Sequence, residues 1–306
     1  MAQTSGVFGA LSDQVQKTIV DFVKMGMGEL PLMHPKFFNK ETTDKKFVRE
    51  QSIAPFGDVP LKSEGSEYAF DVIQAGYSKD FTPREYGLGF LYTQTSMEDD
   101  DYKVLSQHAR WLGFSMRVLQ ETLAAYVFNN CFSAQTTADG VALSSTAHLL
   151  KRGGTASNKL SAASDLSFAA VQQMRADMRA NTKLESGQLL RPASDVYLWC
   201  HPNDEWNAHR IVKASGLPGS ADNDPNPAKD LMSITVAPWE YLTDSDAWGF
   251  IAKRTSAHGL KQITRLAPTL NPPGVDYKTG NRIVTIRSRE HFDAFDWRNF
   301  AATQGA

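Results

Sequence analysis

Between residues 102 and 132 the chain runs without a proline and with a single glycine, Gly113, and no other feature narrows its possible folds as much. Leu105, Leu112, Met116, Leu119, Leu123 and Tyr126 recur at heptad-like spacing on one face of the helix this implies. About 30 residues rising ~1.5 Å each make a rod of about 45 Å, more than twice the length of an average helix. Ser96 and Asp99 offer an approximate capping box at its start, and Glu98, Asp99, Asp100 and Asp101 put negative charge where a helix N-terminus favours it. Hard cations also take grouped carboxylates, but capping and the helix dipole account for these four without one. A rod of this length spans a domain, so the remaining segments have to be arranged around it.

On its N-terminal side the sequence predicts first a short amphipathic helix, from Leu11, Val15, Ile19 and Phe22 at spacings of four, four and three. Gly26 and Gly28 are expected to end it, Pro31 and Pro35 to keep the chain extended, and residues 37–46 to form a polar arm. Residues 47–95 read as β structure broken by turns. Tyr68, Phe70 and Val72 alternate with Ala69, Asp71 and Ile73 as in a half-buried strand, a second strand is expected at 87–95, and 58–65 reads as a hairpin tip. This region carries more aromatic side chains than a two-stranded ribbon can bury, and such ribbons are marginal alone in water. Something else has to cover them.

Beyond the rod, residues 137–263 read as a mixed α/β unit. It has a helix at 166–179 capped by Asp165 or Ser164, a buried strand at 196–200, and a helix from His201-Pro202-Asn203-Asp204 to near Ser215-Gly216. A loop at 216–230 and strands at 234–236 and 248–253 complete it. The tail is β again, with strands at 275–277 and 283–286 flanking the turn Lys278-Thr279-Gly280-Asn281.

Composition narrows the chemistry. The 306 residues carry 32 basic and 34 acidic side chains, a formal net charge of -2. This excludes a protein whose main task is neutralising phosphates, which needs a dominant basic excess. Two cysteines, Cys131 and Cys200, make neither a disulfide framework nor a four-thiolate zinc site. No apolar run approaches the ~20 residues of a membrane span, and the first residues lack the pattern of a secretory signal, so a soluble protein made inside the cell is expected. A compact monomer of this mass would expose about 13,000 Å².

Phosphate-binding loops, nucleophile elbows and paired zinc-binding histidines are absent from the sequence. Three partial signals remain beside the acidic cluster. Cys200-His201 could supply a thiolate and a base, but Val196, Leu198 and Cys200 alternate along one strand and predict a thiol buried with the aliphatics. Asp222, Asp224 and Asn226 have the spacing of a calcium loop but lack its glycine and terminal glutamate, and read as a surface loop. His148 is followed by basic residues rather than carboxylates, and a structural or exposed histidine is expected there.

The order of segments, an arm, a β excursion, one very long helix, an α/β unit and a terminal hairpin, resembles the Hong Kong 97-type α+β fold of tailed-bacteriophage capsid proteins. Specifically, it resembles the Mu-like major head subunit family, over nearly the whole chain. The residues carrying the resemblance are 87–100 leading into the helix, then Asp139-Gly140-Val141-Ala142-Leu143-Ser144-Ser145-Thr146-Ala147-His148. Leu190-Arg191-Pro192 ahead of the 196–201 strand and Phe292-Asp293-Ala294-Phe295-Asp296-Trp297-Arg298 add to it.

The resemblance implies an N-terminal arm at 1–46 and an extended E-loop at 47–95 lying over an adjacent subunit. It implies a peripheral domain of 96–136 (the spine helix) and 264–306, and an axial domain of 137–263. The function implied is that of a major capsid protein, not an enzyme. Pentamers and hexamers would close into an icosahedral shell around double-stranded DNA held without sequence-specific binding, with no cofactor, metal or membrane. Scaffold, protease and portal would be separate proteins, since the chain begins shortly before the arm, and decoration proteins could join them. The product would be a virion component assembled in the host bacterial cytoplasm. Contacts between subunits are expected from Phe56, Val59, Leu61, Lys62, Glu64, Tyr68 and Phe70. Some relatives crosslink a loop lysine, but Lys62 has no asparagine and glutamate aligned with it, and no crosslink is inferred. The alternatives are an encapsulin-like compartment shell and a cytosolic α/β enzyme with a site near Cys200.

Overall fold

The computed structural model describes residues 5–93, 95, 102–191, 194–216, 225–231, 233–253, 259–271, 274–275 and 278–306. The helices are α1 (Ser5–Glu29), α2 (His34–Phe37), α3 (Tyr102–Asn129), α4 (Phe168–Asn181), α5 (Glu205–Lys213) and α6 (Ala228–Leu231). The strands begin with β1 (Asn39–Thr42), β2 (Val48–Ala54), β3 (Gln74–Phe81), β4 (Arg84–Tyr92), β5 (His148–Leu149) and β6 (Thr155–Ala156). They continue with β7 (Asp195–Cys200), β8 (Ser233–Pro238), β9 (Trp248–Ala252), β10 (Leu260–Leu270), β11 (Gly274–Val275), β12 (Arg282–Ala294) and β13 (Phe300–Thr303).

Helix α3 is the long rod, 28 residues in its described part. Its capping residues and the acidic cluster at 98–101 lie outside the described residues. The rod serves two cores. Its first half sets Leu105, Ala109, Leu112 and Met116 against Ile19 and Val23 of α1 and against Val284 and Ile286 of β12. Its last turns are buried on several sides at once, so the apolar stripe widens to Ala124, Ala125, Val127 and Phe128. Tyr126, expected on the buried stripe, is exposed. Phe128 is the hub of the larger core, with ring centroids of Trp239, Trp199, Phe37, Phe300 and Phe38 at 5.1, 5.2, 5.3, 5.6 and 6.1 Å.

Contrary to expectation, α1 does not end at Gly26 and Gly28 but runs through both to Glu29. Gly26 faces the backbone of Arg110, and Gly113 faces the backbone of Val23. These glycines let α1 and α3 cross at backbone contact; they are packing surfaces, not breakers.

Two sheets flank the rod. In the first, β12 pairs antiparallel with β10 along one side and with β4 along the other, while β1 joins β10 in parallel. The tail hairpin is present, with Gly274 and Val275 opposite Ile283 and Arg282; residues 276–277 of its expected strand lie outside the described residues. In the second sheet the order is β13-β9-β7-β8, with only β7 and β8 parallel. Both faces of β7 are covered: Val196, Leu198 and Cys200 pack under α4 and α5, and Trp199 enters the core around Phe128. Helix α4 is capped by Ser167, whose hydroxyl accepts the Ala170 N–H at 3.2 Å, rather than by Asp165 or Ser164. The chain's last strand, β13, leaves the first sheet and closes the edge of the second against β9.

Candidate functional site

Between β2 and β3 the chain leaves the body of the protein. The base of this excursion is firmly held. Phe81 is fully buried with Ile263 and Phe295. Lys79 donates to Asp293 Oδ1 at 2.6 Å, to the Thr136 carbonyl at 2.6 Å and to the Ala294 carbonyl at 2.9 Å. Lys261, buried on β10, donates to Glu41 of β1 at 2.7 Å and to Glu50 of β2. Further out the Ser52 hydroxyl donates to Glu185 Oε1 at 2.6 Å.

Residues 55–73 themselves form no strand. The strand expected from the Tyr68, Phe70, Val72 alternation is absent; β3 starts only at Gln74. The alternation is present in the sequence, but within one chain no second layer lies against it. All seven predicted contact residues, Phe56, Val59, Leu61, Lys62, Glu64, Tyr68 and Phe70, are exposed. Leu61 is 98% exposed, Val59 95%, Phe70 93% and Tyr68 75%. Singly exposed apolar side chains are ordinary, but here several on one excursion are exposed together. The whole chain exposes 17213 Å², about 4,000 Å² more than a compact monomer of its mass. That surplus is of the order of what large permanent interfaces bury.

Two buried polar joints fasten the body behind the excursion, and neither was legible in the sequence. Glu121, on α3, accepts the Met33 N–H at 2.8 Å, the His34 N–H at 3.2 Å and His34 Nδ1–H at 2.8 Å through one oxygen, and Trp239 Nε1–H at 2.7 Å through the other. One carboxylate thereby docks the arm and Trp239, the residue after β8, onto the rod. The second joint is His148, fully buried and stacked on Trp297 at 4.4 Å. Its Nδ1–H donates to Asp139 Oδ2 at 2.7 Å, and its Nε2 lies 3.1 Å from Asn158 Oδ1. Asn158 Nδ2 donates to the carbonyls of Leu143, Phe300 and Trp297 at 2.7, 3.0 and 3.3 Å. The carboxylate partner that sequence neighbours of His148 do not supply comes from Asp139, nine residues upstream. Burial pushes the Asp139 carboxyl up, but hydrogen bonds from His148, Thr137 and Val141 outweigh it and hold the group below the usual carboxylate range.

The Cys200 thiol is buried as its alternation predicts, and burial, helped by Asp204 and Glu205, pushes it up to about 12. A thiol so disposed is not an activated nucleophile. His201 beside it accepts the Asn203 N–H through Nδ1 at 3.2 Å. Asp222 and Asp224 lie outside the described residues. Asn226 is spent on structure, donating to the Ile211 and Ala214 carbonyls at 2.8 and 3.1 Å and accepting the Ala228 N–H at 3.0 Å. Among the described residues no group of three or more His, Cys, Asp and Glu is placed to hold a metal, and no helix is long and apolar enough to cross a membrane.

A long rod between two sheets, with the N-terminal segment docked along it and an apolar excursion leaving the body, is the Hong Kong 97-type architecture of phage capsid subunits. The fold is similar to that in the procapsid of bacteriophage JBD30, with a TM-score of 0.56 and 11% identity over 99% of this chain and 77% of that one. It is similar to the capsid of cyanophage P-SCSP1u, with a TM-score of 0.57 and 9% identity over 91% of each chain. The capsid of a native GTA particle gives 0.55 and 11% identity over 90% of this chain and 92% of that one. No curated protein sequence matches. Residues 76–303 match the family described as phage capsid protein, and the chain belongs to that family. Its function is accordingly structural, that of a major capsid protein in a virion, and the match favours this over an encapsulin-like compartment shell.

Proposed function

We propose that this chain, of the Mu-like kind its motifs resemble, assembles with itself into pentamers and hexamers. These close into an icosahedral shell around double-stranded DNA. The observation that carries this reading is the row of apolar side chains on residues 55–73, which the chain's own body leaves uncovered. In the proposed subunit 1–46 is the arm and 47–95 the E-loop, laid over a neighbour through Phe56, Val59, Leu61, Lys62, Glu64, Tyr68 and Phe70. Residues 96–136 and 264–306 make the peripheral domain and 137–263 the axial domain, with β13 of the one pairing with β9 of the other.

The formal charge of -2 suits a wall that encloses DNA without gripping it. Scaffold, protease, portal and any decoration proteins are separate partners in this reading, and assembly takes place in the host cytoplasm. Deleting residues 58–65 tests it. The variant should keep the circular dichroism of the parent and fail to form closed shells by negative-stain microscopy and size exclusion. Shells of normal size from the deleted chain would refute the role given to the excursion.

A further inference from the structure

The ladder between β2 and β3 ends at the pair Ala54 and Gln74. Each step forward on one limb is a step back on the other, so the same register would next oppose Pro55 to Ile73, Phe56 to Val72 and Gly57 to Asp71. At that point the backbone groups are engaged by side chains instead. Asp71 Oδ2 accepts the Gly57 N–H at 2.8 Å and Arg152 Nη2–H at 2.7 Å, and Asp71 Oδ1 accepts the Val72 N–H at 2.8 Å. Arg152 Nη2 also reaches the Val72 carbonyl at 3.5 Å. The Gly57 amide and then Arg152 hold the Asp71 carboxyl below its usual range.

Beyond this cluster the chain is already folded back on itself. Ser66 donates to the Ser63 carbonyl through its N–H at 3.2 Å and its hydroxyl at 2.7 Å, and Lys62 Nζ sits over the Tyr68 ring at 4.8 Å. Turn and base are offset by one residue, since the base register would oppose Ser63 to Gly65 while the turn joins Ser63 to Ser66, so the unmade ladder between them has to take up a one-residue bulge like that already present between Gln51 and Ile53.

We propose that the Asp71–Arg152 pair is a clasp that holds residues 55–73 open, and that its release lets β2 and β3 zip forward to the Ser63–Ser66 turn. The two states are close in energy for identifiable reasons. Alternate residues of an antiparallel strand direct their N–H to the partner, and Pro55 and Pro60 are of opposite parity, so one of them leaves a ladder position without a donor. A two-stranded ribbon is itself marginal. An exposed ion pair is worth up to about a factor of five in an equilibrium, enough to tip such a balance and weak enough to let go. Zipped, the limb from Pro55 to the turn would reach about 25–30 Å, turning a slack loop into a stiff arm.

The proposal rests on the reading of the excursion as an assembly element, but its test needs only unassembled subunits of the full chain. Hydrogen–deuterium exchange would be compared for wild type, Arg152→Gln and Arg49→Gln, the last removing the other exposed pair, with Asp80 at the base. Exchange across 58–70 should slow about three- to fivefold in Arg152→Gln. It should slow similarly in the wild type when salt is raised to about 1 M, where the screening length is ~3 Å, and should not slow in Arg49→Gln at low salt. Unchanged or faster exchange across 58–70 in Arg152→Gln, with protection elsewhere intact, overturns the clasp; the salt series on the wild type decides if that variant folds poorly. Zipping without shell formation would leave the clasp standing and count against the assembly reading.

Discussion

Replacing Gly113 with alanine pits helix propensity against packing, and the two give opposite signs. In an exposed helix interior the change stabilises by about 1 kcal/mol. Here the added Cβ would lie 2.1 Å from the Val23 carbonyl oxygen and 3.0 Å from the Met27 nitrogen, both backbone atoms of α1, where ordinary contact begins at 3.4 Å. Neither neighbour is the free end of a side chain, so the helices have to part by about 1.3 Å at the crossing. Ile19 and Val23 then lose contact with Leu112 and Met116, and a gap of ~0.5–1 Å already forfeits a quarter to a half of the dispersion attraction. Overpacking of this kind costs about 1–3 kcal/mol, so against the propensity gain of about 1 kcal/mol Gly113→Ala should lose up to about 2 kcal/mol net. Gly28 is the control: it lies in the same contact's outgoing turn of α1 with nothing within 4 Å of its would-be Cβ. Gly28→Ala should therefore be neutral or stabilise by up to about 1 kcal/mol. Gly26 meets the Arg110 carbonyl at 1.9 Å, and one separation relieves both clashes, so Gly26→Ala with Gly113→Ala should cost less than the sum. Urea unfolding of unassembled subunits, followed by circular dichroism, measures all four variants. A Gly113→Ala midpoint raised as much as that of Gly28→Ala would refute the reasoning.

Three further outcomes are expected. Phe128→Ala, which empties the hub between Phe37, Trp199 and Trp239, should cost about 3–5 kcal/mol in the same unfolding assay. Glu121→Ala strands the Trp239 N–H and the amides of Met33 and His34, each unpaired donor costing about 1–3 kcal/mol; limited proteolysis should then cut within 30–42 before the rest of the chain. Asp139 and Asp293 are both held below the usual carboxylate range although burial opposes it, Asp293 by His291 and Lys79. A depressed folded-state value means stability is present above the unfolded value near ~3.9 and is lost as pH falls through the folded one. Burial raises Glu290, which acts the other way: its contribution is present below the unfolded value and lost as pH rises through the folded one. Asp139→Asn should therefore flatten the acid limb of a stability–pH curve, and Glu290→Gln should leave that limb in place.

Much of the fold could be read directly because its signals are local. The rod follows from a stretch without proline, the buried face of Cys200 from strand alternation, and the exposure of 56–70 from more apolar surface than a ribbon can hide. Misreadings arose where a local rule met a distant partner. Gly26 and Gly28 look like helix ends until the α3 backbone at Arg110 is placed against the first of them. Tyr126 keeps the heptad spacing, yet the rod's last turns sit among residues from four other segments, and burial there no longer follows one stripe. The 68–73 alternation has the period of a strand but no layer in its own chain to form against.

By itself, then, the sequence determined the class of element in most places and the order arm, excursion, rod, α/β unit and tail, since each depends on spacing along the chain. Only the tertiary structure decided which carboxylates hold it together and which sheet the last strand joins. Glu121 meets His34 across 87 positions and Trp239 across 118. Asn158 reaches Phe300 across 142, and β13 crosses to the second sheet. No periodicity encodes such pairings; they exist because burying a charge or a backbone amide is costly unless a partner is brought to it, and the fold brings it from far away.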